Sequence, residues 1–384
     1  MAAIPIVVRG ERTSHMRRFA IVTVALLGTV LIWLTAFHGQ SPLLRDTSAR
    51  FKELYGKGHY TEALPLAEKA LRLSEEELGF DHPTTATQLD NLAEVYSVQG
   101  RYGEAEPLLK RALAIREKVL GAEHREFGTS LNNLAHLYFA QGRYGEAEPL
   151  FKRALSNLEK VLGPEHQGFA RGVNNLAELY RAQGRYDDAE PLFKRALSIF
   201  EKALGPDHPD CARGANNLAL TYHAQGRYGE AEPLFKRALS IFEKALGPEH
   251  PEVAVSLNSL AFTYHVQRRY DEAARLQKRA LTIQEKALGP EHPDAAVTLN
   301  NLAFTYHVQG RYDEAKPLYE RALSIWQNAP GAKHPNLAQG LKNYAALLRK
   351  TGDDNGAAKI EARAAPPQAC SLQCDARDCC GVRE

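Results

Sequence analysis

Five cysteines in 384 residues are too few to staple a chain of this length, so a disulfide scaffold is excluded. A surplus of one charge is missing too: 48 Lys and Arg face 46 Asp and Glu, leaving a formal net charge of +2. A protein that tracks nucleic-acid phosphates needs a basic patch, and interspersed signs argue against one. Low-complexity stretches are absent as well, since 28 Gly, 20 Pro and 24% charged residues fit an ordered chain. The sequence contains no G-x-x-x-x-G-K-[ST] loop, no H-E-x-x-H and no G-x-S-x-G. The nucleotide, zinc and acyl-transfer chemistry of those motifs is therefore not expected. Nor does the repeat organisation leave room for a catalytic domain. The expectation is a non-enzymatic protein with no cofactor, no metal, no nucleic acid and no small-molecule substrate.

Charge is also lacking locally. From Phe19 to Phe37 nineteen residues pass without one ionisable side chain, and as a helix they span roughly 28 Å, about the bilayer hydrocarbon thickness. Arg17 and Arg18 precede the run directly, and Arg45 is the nearest basic residue after it. Counted more widely the two sides are equal, so only proximity favours an N-in, C-out orientation. The two methionines are Met1 and Met16, and a start at Met16 gives a compact signal-peptide n-region. Against cleavage, the run exceeds the usual ~7–15 residues and no A-x-A site follows. An uncleaved single-pass anchor is the first expectation, a cleaved signal the second and a buried helix the third. Both leading alternatives place the remainder outside the cytoplasm, in the periplasm if the source is bacterial, or secreted after cleavage.

What fills the rest is one unit copied at a step of 42. Tyr60, Tyr102, Tyr144, Tyr186, Tyr228, Tyr270 and Tyr312 keep that step. So do His82, His124, His166, His208, His250, His292 and His334, and the alanines from Ala93 to Ala345. Gly58 to Gly310 hold it with one departure, Arg268, before Gly352 resumes. Within one copy, Leu131, Leu134, Ala135 and Tyr138 follow the i, i+3, i+4, i+7 stripe of an amphipathic helix A. Gly142 ends it, because a helix exit favours a left-handed residue without Cβ. Tyr144 opens helix B, whose Ala147, Leu150, Phe151 and Ala154 form the next stripe. Pro149 and its counterparts inside helix B predict a slight bend. One such pair cannot bury its apolar faces and stacked neighbours can, so the fold expected is an all-α solenoid of antiparallel helix pairs.

The pattern Leu134-Ala135-x-x-Tyr138…Gly142-x-Tyr144…Ala147…Phe151…Ala154 resembles a tetratricopeptide repeat. The 42-residue period and the phrases NNLA, QGRY, EAEPLFKRAL and LGPEHP resemble the kinesin-light-chain-like subtype over about residues 45 to 365. That resemblance implies a right-handed superhelix whose concave face takes peptides. The organisation expected is a basic segment at 1–18, the apolar helix at 19–37, a linker at 38–43, about seven repeats plus a degraded terminal one over 44–364, and a cysteine-containing disordered tail at 365–384. Helix A of copies two to seven is expected near Thr87, Thr129, Arg171, Arg213, Val255 and Val297, the first from about Leu44 and the last from about Gln339. In the first copy Phe51 stands for the small alanine and Leu54 for the tyrosine.

Several residue sets invite chemistry. Successive loop histidines stand one repeat apart, too far to share a metal ion at about 2 Å, so a capping or hydrogen-bonding role is expected. Cys370, Cys374, Cys379 and Cys380 match zinc spacing poorly and either pair or remain inert. Cys211 reads as a loop or helix-start residue. Asn91, Asn133, Asn175, Asn217, Asn301 and Asn343, with Ser259 in the sixth copy, precede the core leucine or its equivalent. They lie about a quarter-turn off the core stripe. In the resembling proteins asparagines here hold a peptide backbone, which an amide can do with both donors and acceptor. The alternative is that they bond between adjacent helices. Further round, Glu94, His136, Glu178, Leu220, Phe262 and Phe304 diverge, and the next turn carries Ser97, Phe139, Arg181, His223, His265 and His307. The early half of the groove is thus polar and the later half offers Phe and His. The function expected is a membrane-tethered scaffold that binds protein or peptide partners, at Phe262, Phe304, His223, His265, His307 and the asparagines. The rival is an assembly subunit of an envelope complex that packs by its edges and convex face.

Overall fold

The computed structural model describes residues 41–328 and 336–364. The expected anchor at 19–37, His334 and the four tail cysteines lie outside the described residues. Among the described residues the chain is all-α, with sixteen helices and no strand, and no helix is long and apolar enough to cross a membrane. The chain divides into two compact units, residues 1–164 and 165–384.

The first unit holds α1 (Pro42–Gly56), α2 (Tyr60–Leu78), α3 (Pro83–Val98), α4 (Tyr102–Leu120), α5 (Arg125–Ala140) and α6 (Tyr144–Leu162). The second holds α7 (Gln167–Ala182), α8 (Tyr186–Leu204), α9 (Pro209–Ala224), α10 (Tyr228–Leu246), α11 (Pro251–Val266), α12 (Tyr270–Leu288), α13 (Pro293–Val308), α14 (Tyr312–Asn328), α15 (Leu337–Lys350) and α16 (Asp354–Ala364). Odd-numbered helices are the A helices and even-numbered ones the B helices. In each unit every helix packs on the next in the chain, and neighbouring A helices also touch. The stripes read from the sequence are the core: Leu131, Leu134, Ala135, Tyr138, Ala147, Phe151 and Ala154 are all buried. Phe51 and Leu54 are buried in the first copy as well, so the larger Phe51 is packed rather than expelled.

The A helices start about four residues earlier than the sequence stripe suggested, at Pro83, Arg125, Gln167, Pro209, Pro251 and Pro293. The end copies differ by two residues, beginning at Pro42 and Leu337. The reason is the histidine. His82, His124, His166, His208, His250 and His292 are N-caps, each accepting at Nδ1 from the backbone N–H two residues on, at 2.9–3.2 Å. Proline follows four of them at the first helical position, where its missing N–H costs nothing. Each such cap satisfies one of the N–H groups that the first helical turn leaves without a partner. No group of metal-ligating side chains occurs among the described residues.

The exit from each A helix explains the QGRY phrase. Gly142 has φ +72°, its N–H reaches the Phe139 carbonyl at 2.9 Å, and the Arg143 N–H reaches the Tyr138 carbonyl at 2.8 Å. These are the paired bonds of a Schellman turn. The arginine then lies over the tyrosine, with the Arg143 guanidinium 4.0 Å from the Tyr138 ring centre. It also joins Glu146 at 2.7 Å and Glu106 of the preceding copy at 2.7 Å. Glu106 further accepts from the Tyr138 hydroxyl at 3.0 Å and pairs with Lys110 at 2.7 Å. Hydrogen bonds from Arg143 and Lys110 hold the Glu106 carboxyl down at about 2. The clamp recurs at Glu190, with Arg227 and Lys194, and at Glu232, with Lys236 and Arg269. Burial opposes ionisation at both, yet their basic partners bring them to about 2. Each clamp ties one copy to the next.

Candidate functional site

The side chains singled out at the sequence level stand on the A helices, off the buried stripe. Asn91, Asn133, Asn175, Asn217, Asn301 and Asn343 are all half-buried. Several of them bond along the row of A helices. The Asn217 amide donates to Asn174 Oδ1 at 3.1 Å and Glu178 Oε1 at 2.8 Å, and Asn343 donates to Asn300 Oδ1 at 3.3 Å. Asn133 faces Asp90 and favours its carboxylate. Asn91 donates to Gln88 at 3.1 Å within its own helix, and Asn301 accepts from Asn300 at 3.4 Å. Asn175 also has a partner. Ser259 bonds back to the Val255 carbonyl at 3.2 Å. The partners come from a second column, Asp90, Asn174 and Asn300, which the sequence reading passed over. Its signal was the doublet Asn-Asn at 132–133, 174–175, 216–217 and 300–301.

In the second unit the structure brings the selected aromatics together. The His223 ring stacks on Phe262 of the next A helix at 4.6 Å and 30°, and meets Tyr228 edge-on at 4.9 Å. His265 repeats this, stacked on Phe304 at 5.0 Å and edge-on to Tyr270 at 5.2 Å. His307 contacts Phe304 edge-on at 6.3 Å and Tyr312 at 5.8 Å. Burial pushes the His223, His265 and His307 imidazoles below their ordinary value, and for His307 the Lys350 charge adds to it. They therefore act as neutral aromatic rings at neutral pH. Around them Val255, Phe262, Val266, Phe304 and Val308 are exposed, Phe262 at 53%. The result is an uncharged, partly aromatic strip across α11 and α13. A cavity of about 220 Å³ opens beside it, lined by Leu220, His223, Phe235, Asn258, Ser259, Phe262 and Asn301.

The first unit presents different chemistry at the equivalent place. A pocket of about 480 Å³ is lined by Tyr55, Asp90, Glu94, Tyr102, Asn133, His136 and Phe139 among others. The Tyr55 hydroxyl donates to Glu94 Oε1 at 2.9 Å. Asp90 accepts from Arg116, which Ser130 and Thr87 also hold. Cys211 is a buried free thiol at the start of α9, its Sγ on the Gly205 carbonyl at 3.2 Å.

Compared with known proteins, the chain matches the family model described as tetratricopeptide repeat over residues 54–118, 87–160, 126–172, 168–244, 212–286, 252–307 and 294–366. Similar solved structures include BtubC (BKLC) from P. vanneervenii, 24% identical, covering 65% of this chain and 94% of that one with a TM-score of 0.51. The nearly identical TPR-like repeats of a candidate kinesin light chain from Podosopora anserina are 32% identical over 53% of this chain and 97% of that one, TM-score 0.47. A signal-transduction ATPase with a tetratricopeptide repeat sensor, from Pyrococcus horikoshii, is 18% identical over 85% of this chain and 47% of that one, TM-score 0.59. No curated protein sequence matches the chain.

Proposed function

The chain belongs to the tetratricopeptide-repeat family, in its kinesin-light-chain-like form, and from that premise we propose that it is an interaction scaffold holding peptide segments of partner proteins on the open face of its A helices. Tetratricopeptide repeats mediate protein–protein interaction. The observation that carries the finer proposal is the strip across α11 and α13. Two phenylalanines and three valines lie exposed on a scaffold whose other positions repeat nearly unchanged. Exposed aromatic side chains are costly to leave in water and are favoured anchors for a bound segment. Half-buried asparagines stand on the same helix face, and an amide whose bonding capacity is not all spent on its neighbours suits a peptide backbone. The chemistry is binding rather than catalysis. The apolar run at 19–37 tethers the scaffold to a membrane with the repeats outside the cytoplasm.

The test is a crosslinking pull-down from membranes. Phe262→Ala with Phe304→Ala should lower capture of the partner by about thirtyfold, the loss of two aromatic anchors at roughly 1 kcal/mol each. Both side chains are exposed, so folding should be untouched. Full capture by the folded double variant would overturn the peptide proposal and favour packing by the edges into an envelope assembly. The tether is tested separately: the full chain should resist alkaline carbonate extraction, and a soluble product beginning near Gln40 would replace the anchor by a cleaved signal.

A further inference from the structure

We propose that the pocket of the first unit binds the guanidinium group of an arginine side chain in a partner segment. This rests on the proposal that partners supply peptides to the A-helix face, and it adds the chemistry that the first unit selects.

The argument begins from one column of the repeat. At the position of Asp90 every following copy through the seventh carries asparagine: Asn132, Asn174, Asn216, Asn258 and Asn300. In the fourth copy the consequence of an amide there is visible. Glu178, the counterpart of Glu94, accepts from the Asn174 amide and from the Asn217 amide, each at 2.8 Å. Both neutral donors converge on one oxygen of that carboxylate, Oε1. In the first unit the same arrangement carries Asp90 in place of the first amide, so Glu94 loses that donor and gains a second carboxylate beside it. The Tyr55 hydroxyl is the hydrogen bond shown on Glu94, and no cation pairs with it among the described residues.

Arg116 does not exhaust the negative charge. It is buried and bonds Asp90 through Oδ2 at 2.5 Å. The other oxygen, Asp90 Oδ1, is buried without a hydrogen-bond partner. Two carboxylates against one guanidinium leave the pocket one negative charge in excess. An unpaired carboxylate oxygen in a partly dehydrated site is costly unless a donor arrives.

The walls select among cations. Tyr55, Tyr102 and Phe139 line the same pocket as Asp90 and Glu94. A guanidinium is planar, weakly hydrated, stacks on aromatic faces and offers several donors to carboxylate oxygens. An ammonium is a strongly hydrated point charge and uses such walls less well. The pocket volume of about 480 Å³ falls within the range of ligand sites. Helices α11 and α13 of the second unit, by contrast, offer an uncharged strip at the corresponding columns. The two units therefore select different side chains.

The test uses the full chain in mild detergent and two blocked pentapeptides, Gly-Gly-Arg-Gly-Gly and the same peptide with neutral, isosteric citrulline, followed by saturation-transfer NMR. The arginine peptide should bind at least about fivefold more tightly than the citrulline peptide, the worth of one half-exposed ion pair. Glu94→Gln should remove most of that preference, and Asp90→Asn should do the same by returning an amide to donate to Glu94. Glu94 is exposed, so Glu94→Gln keeps the test valid if Asp90→Asn disturbs Arg116. Equal binding of the two peptides, no binding of the arginine peptide, or an unchanged preference in Glu94→Gln would each overturn the inference. Failure of the wider peptide proposal registers elsewhere, in partner capture by the Phe262 and Phe304 variant, so the two outcomes are separable.

Discussion

Replacing Asn217 by aspartate converts a donor that joins two A helices into a second carboxylate. In the native protein the Asn217 amide reaches Glu178 Oε1 at 2.8 Å on α7 and Asn174 Oδ1 at 3.1 Å. Simple deletion, Asn217→Ala, removes two hydrogen bonds, one of them to a carboxylate, and should cost about 1–3 kcal/mol. Asn217→Asp should cost more. With their charge centres at about 4 Å, two like charges in a half-buried setting repel by on the order of 4 kcal/mol at an effective dielectric constant near 20. The lost hydrogen bonds add to this. The sign with pH is opposite to that of an ordinary ion pair. Crowding raises the carboxyl pKa of the folded variant above its unfolded value, so the penalty is complete above that raised pKa and fades as pH falls through it. Urea denaturation of variant and wild type at pH 7 and at about pH 4 separates the effect, because the difference between the two proteins cancels the acid response they share. A deficit below about 0.5 kcal/mol at pH 7 would refute the inter-helix role of Asn217. A deficit that did not shrink in acid would refute the charge argument while leaving the hydrogen bonds.

Other outcomes follow from the same contacts. Ala219 is fully buried, so Ala219→Trp should destabilise by about 1–3 kcal/mol or more, with hydrogen exchange rising first in α8 to α10 while α14 to α16 stay protected; a uniform rise would contradict nearest-neighbour coupling. The clamps at Glu106, Glu190 and Glu232 have folded pKa values lowered to about 2, so their stabilisation is complete above the ordinary glutamate range near 4.5 and is lost as pH falls from there towards 2. Glu106→Gln, followed by thermal melting across that window, should flatten the first unit's acid response, and an unchanged slope would refute the clamp. Arg268 sits at φ +63° where the other copies have glycine; Arg268→Gly should relieve about 1–2 kcal/mol of left-handed strain and return part of it as chain entropy, raising the melting temperature. A lower melting temperature would mean that the side chain holds something the backbone argument omits.

The parts of this fold that were legible in the sequence are those whose cause is local. Gly142, Ala135 and Tyr138 announce a helix exit, a close approach and a packed ring from within a single copy, and the structure places each in that role. The start of helix A was local as well, yet it was misplaced by a turn. The apolar stripe begins only at Thr87 or its counterparts, whereas the true start is marked by a polar cap, His82 with Pro83 after it. Reading the stripe alone weighs burial and ignores the unsatisfied N–H groups of the first turn, which the histidine Nδ1 serves.

What stayed hidden depends on register between copies. Glu106 and Arg143 are 37 residues apart in the chain, and nothing in either copy says that they meet at 2.7 Å. The asparagine column was visible, but its bonding was not, because Asn217 reaches Asn174 only when successive A helices are set side by side. The same geometry makes His223 a lid on Phe262 rather than an independent groove residue. One physical rule covers these cases. A side chain on the A-helix face spends its polar or aromatic surface on the neighbouring copy first, and only what is left over is available to a partner. Glu178 already has two amides on its Oε1. Phe262, more than half exposed even under His223, and Asp90 Oδ1, buried without a hydrogen-bond partner although Asn133 stands beside the carboxylate, are what the neighbours leave unmet. Binding chemistry should therefore concentrate at positions where the repeat departs from its own pattern, and the asparagines that recur in nearly every copy should act first as mortar.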